Sequence, residues 1–198
     1  ERRAMIEHLR TQAERDDLTG IYNRSYFLTE LARVVDRTRR AQQVSILLYI
    51  DLDNFKYVND TLGHLAGDRL LIEVCQLLRK RARRSDLIAR LGGDEFCMLL
   101  YDTHAEEAQA IAESFRKALA DYRFRQASEQ VDMGCSIGAT IINAESRSAE
   151  EVLSRADFAC HLAKCAGRNR VHMFDMKDEA NVTALSLDMG WSRRIKDA

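Results

Sequence analysis

The chain has 198 residues, enough for one domain with a sizeable core and short appendages. Its 30 Lys and Arg nearly balance 31 Asp and Glu, for a formal charge of -1, so no global field draws it to nucleic acid or a membrane surface. No apolar run approaches the roughly 18 residues that span a bilayer, and the charged start Glu1-Arg2-Arg3 is not followed by the apolar stretch of a signal peptide. We read the chain as a cytoplasmic piece of a longer protein.

Residues 1–15 carry Met5, Ile6, Leu9 and Ala13 at helical spacing. So thin a stripe suits a connector helix that pairs with its twin in a dimer, or one that frays alone. Asp16-Asp17-Leu18-Thr19-Gly20 is turn-like. Phe27, Leu31, Val34 and Val35 then recur at helical spacing, and Arg37-Thr38-Arg39-Arg40 supplies charges suited to a helix C-terminus. Val44 to Ile50 is almost unbroken apolar sequence, the pattern of a central strand buried on both faces. It stops at Asp51-Leu52-Asp53. A carboxylate at a core boundary is costly unless paired or metal-bound, and strand alternation turns Asp51 and Asp53 to one side. Metal-binding acids and simple caps of the next turn both fit.

Phe55 to Asp60 leads through Gly63-His64-Leu65-Ala66-Gly67-Asp68 into a helix with Leu70, Leu71, Val74, Cys75 and Leu78 on one face. Its basic end, Arg79 to Arg84, runs directly into Ser85-Asp86, which favours a defined anion site over a generic nucleic-acid patch. In Arg90-Leu91-Gly92-Gly93-Asp94-Glu95-Phe96, two glycines and two acids separate apolar runs, as in a β-hairpin. Bare backbone beside two negative charges suits a nucleotide whose phosphates are bridged by a divalent cation. The plain alternative is a solvated surface turn.

Thr103-His104-Ala105-Glu106 has the pattern of a capping box opening a helix with Ala108, Ile111, Ala112, Phe115 and Leu119 inward. Val131 to Ile141 alternates as one strand. Ser148 to Glu151 is a second capping box for a helix through Lys164, with Gly167 as its left-handed stop. Arg170 to Phe174 is a last short strand, and the residues after 176, with the lone Trp191, are polar linker. The five cysteines lack C-x-x-C spacing and read as small buried hydrophobes in a reducing compartment. His161 and Cys165 lie one turn apart without a second ligand pair, so they read as structural rather than zinc-binding. The element order indicates an α/β (α+β) sandwich, a mixed sheet covered by helices.

Several of these stretches, in order from residue 17 to about 175, resemble the GGDEF family of diguanylate cyclases. Asp17-Leu18-Thr19-Gly20-Ile21-Tyr22-Asn23-Arg24 is similar to the family's opening D-x-L-T-G-L-x-N-R signature, with one residue fewer before the Leu. Asp51 to Lys56, Asn59-Asp60, Gly63-His64 and Gly67-Asp68 are similar to its second block. Gly92 to Phe96 is the name-giving motif, and Ser136-Ile137-Gly138 and Ala163 to Asn169 resemble the closing blocks. His161 departs from the family's usual Tyr. The resemblance implies a ferredoxin-like fold related to nucleotidyl-cyclase and polymerase palm domains, spanning residues 16–175.

It also implies condensation of two GTP into cyclic di-GMP with release of two pyrophosphates, at a site shared by a homodimer. Asp51, Asp94 and Glu95 would be catalytic. With the Leu52 carbonyl they would hold Mg²⁺, or Mn²⁺ in its place. Asn59 and Asp68 would read guanine, and Phe55 belongs to the same substrate-binding set. Lys56, Lys164 and Arg168 would neutralise phosphates beside Gly92 and Gly93. Arg83 and Asp86 match the family's inhibitory R-x-x-D site for cyclic di-GMP. The tail, 176–198, resembles a connector to an EAL phosphodiesterase domain; with residues 1–15 as a signalling connector helix, sensor and EAL domains are the neighbours expected in the parent chain. The alternative function is a non-catalytic module that binds GTP or cyclic di-GMP and regulates that EAL neighbour. Nucleic acid is not an expected partner.

Overall fold

The strand β1 (Ser45–Asp53) is buried along its whole length, as its unbroken apolar run requires. The computed structural model describes residues 13–41 and 43–178. The stripe of Met5, Ile6 and Leu9 and the tail carrying Trp191 lie outside the described residues. Before β1 comes α1 (Arg24–Ala41), and after it α2 (Phe55–Leu62) and α3 (His64–Arg81). The hairpin β2 (Leu87–Gly92) and β3 (Glu95–Leu100) follows, then α4 (Ala108–Ala120). A small hairpin, β4 (Arg123–Gln126) and β5 (Glu129–Asp132), precedes β6 (Gly134–Ile142), α5 (Ala149–Cys165) and β7 (Val171–Met173). The main sheet has the order β2-β3-β1-β6-β7, antiparallel except for the parallel β6–β7 pair. This is the mixed sheet covered by helices that the sequence predicts.

Alternation along β1 divides the core in two. Ile46, Leu48, Ile50 and Leu52 pack under α3 and α4, whereas Leu47 and Tyr49 pack under α1 and α5. In α3, Leu70, Leu71, Val74 and Leu78 are almost solvent-free. Burial contributes about 1.5–3 kcal/mol for each such side chain, which outweighs the roughly 1 kcal/mol that Gly67 costs in the same helix. At Gly138 a Cβ would stand 2.0 Å from the Ala156 carbonyl and 2.2 Å from the Cys160 nitrogen. That glycine lets α5 lie directly on the sheet.

Four local expectations change. The segment after β1 is a separate helix, α2, broken from α3 at Gly63, whose φ of +86° suits a residue without Cβ. The run Val131 to Ile141 is two strands: its first residues pair with β4, and only Gly134 onward joins β1. Thr103 caps no helix. Its hydroxyl donates to the Tyr101 carbonyl, and a 3₁₀ turn, Ala105–Glu107, precedes α4. Cys165, unlike the four other cysteines, is exposed, because it ends α5 on the solvent side, with Sγ 3.4 Å from His161 Nε2. By contrast, the Ser148 hydroxyl does accept the Glu151 amide at the start of α5.

Candidate functional site

The acidic end of β1 is built by three neighbours. Asp53 accepts Ser136 Oγ at 2.9 Å and the Asn169 amide at 2.8 Å, both neutral donors. Asp51, on the same face, takes the Lys164 ammonium at 2.5 Å. Opposite Asp51 in the antiparallel register stands Glu95, the first residue of β3. Burial pushes the Asp51 carboxyl up to about 6; Lys164 opposes this, and the charges of Asp94 and Glu95 add to it. Asp94 is also raised, chiefly by burial, against the lowering effect of Lys164 and Arg90. An excess of negative charge is thus held half-buried, with one lysine to discharge it.

The turn between β2 and β3 is Gly93-Asp94, with a bulge between Arg90 and Gly92. Gly92 (φ +151°) and Gly93 (φ +49°) both need positive φ, and nothing lies within 4 Å of where a Cβ would be. A ligand can therefore approach the backbone there. The Leu52 amide donates to the Asp94 carbonyl at 3.3 Å, fastening the tip to the end of β1. Arg90, absent from the expected site set, braces it from the other side. Its Nε donates to the Gly93 carbonyl at 2.9 Å, and its Nη1 lies 3.2 and 3.1 Å from the two oxygens of Asp16.

Asp16 in turn accepts the Thr19 amide and hydroxyl. Asp16, not Asp17, is therefore the first acid of the D-x-L-T-G turn, and the signature is complete without a missing residue. Asp17 is exposed. The signal for Arg90 was its place beside the glycines, but only the fold brings it to Asp16.

At the α2–α3 corner, the Asn59 side chain lies over Gly67, whose added Cβ would fall 1.9 Å from Asn59 Oδ1 and 3.3 Å from Phe55 Cζ. Asn59, Phe55 and the exposed Asp68 thus share one small region. Lys56 and Arg168 are exposed, Arg168 in the loop after α5 at a φ of +60°. The basic turn is separate from this site. The Arg83 amide donates to Asp86 Oδ2 at 2.8 Å and the Asp86 amide to the Arg83 carbonyl at 3.0 Å. Beside it is a cavity of about 240 Å³, lined by Arg15, Tyr22, Arg79, Arg83, Arg84 and Asp86 among others.

Among the described residues no three His, Cys, Asp or Glu side chains converge as a ready metal cage. Asp51 is turned to Lys164 instead, so the expected set of Asp51, Asp94 and Glu95 does not close by itself. Magnesium commonly needs only one or two carboxylates plus phosphate oxygens from the substrate. The crowded acids fit that requirement, with Asp51 exchanging Lys164 for the metal.

The model of the family "Diguanylate cyclase, GGDEF domain" matches residues 13–170. The probable diguanylate cyclase DgcE of Escherichia coli is 40% identical over 200 residues, covering 100% of this chain and 18% of that protein. The diguanylate cyclase DgcP of Pseudomonas aeruginosa is 39% identical over 168 residues, covering 85% of this chain and 25% of that protein. The chain thus spans a quarter or less of the length of these two relatives. A crystal structure of the coiled coil and GGDEF domain of DgcB from Caulobacter crescentus, in complex with c-di-GMP, superposes with a TM-score of 0.80 at 30% identity, covering 86% of this chain and 91% of that one. With the fold, the name-giving turn and the family match agreeing over the same residues, the chain belongs to the GGDEF family.

Proposed function

We propose that this domain condenses two GTP into cyclic di-GMP and two pyrophosphates. The observation that carries the reading is the register pair Asp51 and Glu95 beside the bare Gly92-Gly93 turn, with Asp94 at its tip. Asp51, Asp94, Glu95 and the Leu52 carbonyl would hold Mg²⁺ or Mn²⁺ on the triphosphate. That cation would neutralise phosphate charge and ease departure of pyrophosphate. The protein's share is placement. Lys164, Lys56 and Arg168 attract the phosphates, Gly92 and Gly93 leave room for the α-phosphate, and Asn59 and Asp68, with Phe55, hold guanine.

The 3'-hydroxyl oxygen of one GTP bonds to the α-phosphorus of the other as the bond to the pyrophosphate oxygen breaks. Glu95 assists cation binding or takes the hydroxyl proton. A second identical step closes the ring. One chain offers one such site, so two GTP must meet across a homodimer, and synthesis should rise faster than linearly with protein concentration. Arg83 and Asp86 would bind the product as a feedback ligand. We place the domain at residues 16–175, with a connector from a sensor before it and a linker towards an EAL domain after it.

The test is incubation with GTP and Mg²⁺ at several protein concentrations, with the products separated by chromatography. Cyclic di-GMP made by the wild type and not by Asp94→Ala supports the cyclase. Bound GTP with no product at any concentration, even after artificial dimerisation, overturns it in favour of a regulatory binding module.

A further inference from the structure

Beneath the hairpin, on the face covered by α1 and α5, lies a cavity of about 290 Å³ that the proposed reaction leaves unused. Arg24, Tyr49, Glu95, Ser154 and Asp157 give it a polar wall. Tyr49, Asp51 and Asp53 are alternate residues of β1 and share this face. Asp157 lines the cavity with Tyr49, Lys164 binds Asp51, and the Asn169 amide caps Asp53. Glu95 stands across from Asp51 in the register, yet its side chain also lines the cavity. It follows the Gly93-Asp94 turn, and neither Gly92 nor Gly93 offers side-chain packing to hold it. A carboxylate on so bare a tip needs a tether if it is to meet a ligand in one geometry. Tyr49 is 6% exposed, and because its own partner in β3 is Cys97 the register sets it diagonally across from Glu95 on the wall of the same cavity, a spacing that a tyrosine and a glutamate can bridge. A buried phenol seeks an acceptor for its single proton.

We propose that Tyr49 is a positioning residue for Glu95, its hydroxyl donating to the carboxylate and holding it on the Asp51 side of the hairpin, ready for a divalent cation. The inference rests on the reading of Glu95 as a cation ligand. Tyr49→Phe keeps the ring in the core and removes only the donor. Mn²⁺ binding to the whole chain, followed by electron paramagnetic resonance with a GTP analogue that cannot release pyrophosphate, gives a readout independent of turnover. Tyr49→Phe should weaken Mn²⁺ binding roughly 10-fold, with the thermal midpoint of the metal-free protein unchanged. Glu95→Gln should weaken it at least as much, and adding Tyr49→Phe to Glu95→Gln should cost nothing more, since the hydroxyl acts through that carboxylate. Loss in Glu95→Gln with wild-type or tighter binding in Tyr49→Phe overturns the positioning role alone. Unchanged binding in both overturns the ligand reading and the inference with it.

Discussion

The two ends of β2 carry turns of opposite character. At one end Gly93-Asp94 exposes bare backbone beside carboxylates that burial has raised. At the other, Arg83–Asp86 displays exposed guanidiniums around a turn closed by the Arg83 amide on Asp86 Oδ2 and the Asp86 amide on the Arg83 carbonyl. Six strand residues, about 20 Å of rise, separate them. The difference is one of cost. A half-buried acid is expensive until a cation discharges it, so the acidic end depends on Lys164, Arg90 and the seat of α5. Exposed arginines at a helix C-terminus cost little when empty, so the basic end can exchange a ligand without help from the core.

Removing an acid should break the first end only. Asp94→Ala is expected to lower synthesis more than roughly 100-fold, while calorimetry still detects cyclic di-GMP binding at the Arg83 end. Retained Mg²⁺-dependent synthesis would refute the role given to Asp94.

Gly138→Ala should strain the seat of α5, because the new Cβ has backbone, not a flexible side chain, within 2.2 Å. A loss of roughly 1–3 kcal/mol in denaturant unfolding is expected. An unchanged midpoint would show that α5 can retreat and that the acidic end does not need it so close.

Arg83→Ala should raise the cyclic di-GMP concentration for half-inhibition by roughly 10-fold, the loss of a charge-assisted bond. If inhibition stays where it is, the basic end is not the feedback site.

The smallest effect concerns the brace between the ends. Burial pushes Asp16 up, but the Thr19 bonds and Arg90 outweigh it, leaving the carboxyl below its usual 3.8. Its contribution is therefore present above 3.8 and lost as the pH falls below it. Asp16→Asn should cost about 1 kcal/mol at neutral pH, and the gap in thermal midpoint should close on acidification. A gap that widens in acid would contradict the sign.

Much of this was legible in local pattern. The central strand showed in the apolar run from Val44, its acidic stop in Asp51-Leu52-Asp53, the hairpin in Gly92-Gly93, and the cap of α5 in Ser148 and Glu151. Each is a statement about near neighbours, and periodicity and turn chemistry report those directly. The β4–β5 hairpin escaped because Val131 to Ile141 alternates without interruption, and alternation does not say which partner a strand will take. Asp51 and Asp53 are the sharpest case. They are the same residue type, on one strand and one face, yet one is satisfied by neutral donors and the other by a lysine from α5. Local pattern alone carried the family, most of the element order and the choice of acids. The folded chain alone shows which acid is neutralised and by what, that Asp16 rather than Asp17 holds Arg90, and that Glu95 stands opposite Asp51 on the wall of the cavity that Tyr49 also lines. Those choices depend on groups far apart in the chain meeting in a low-dielectric boundary, where the partner and not the residue type sets the energy.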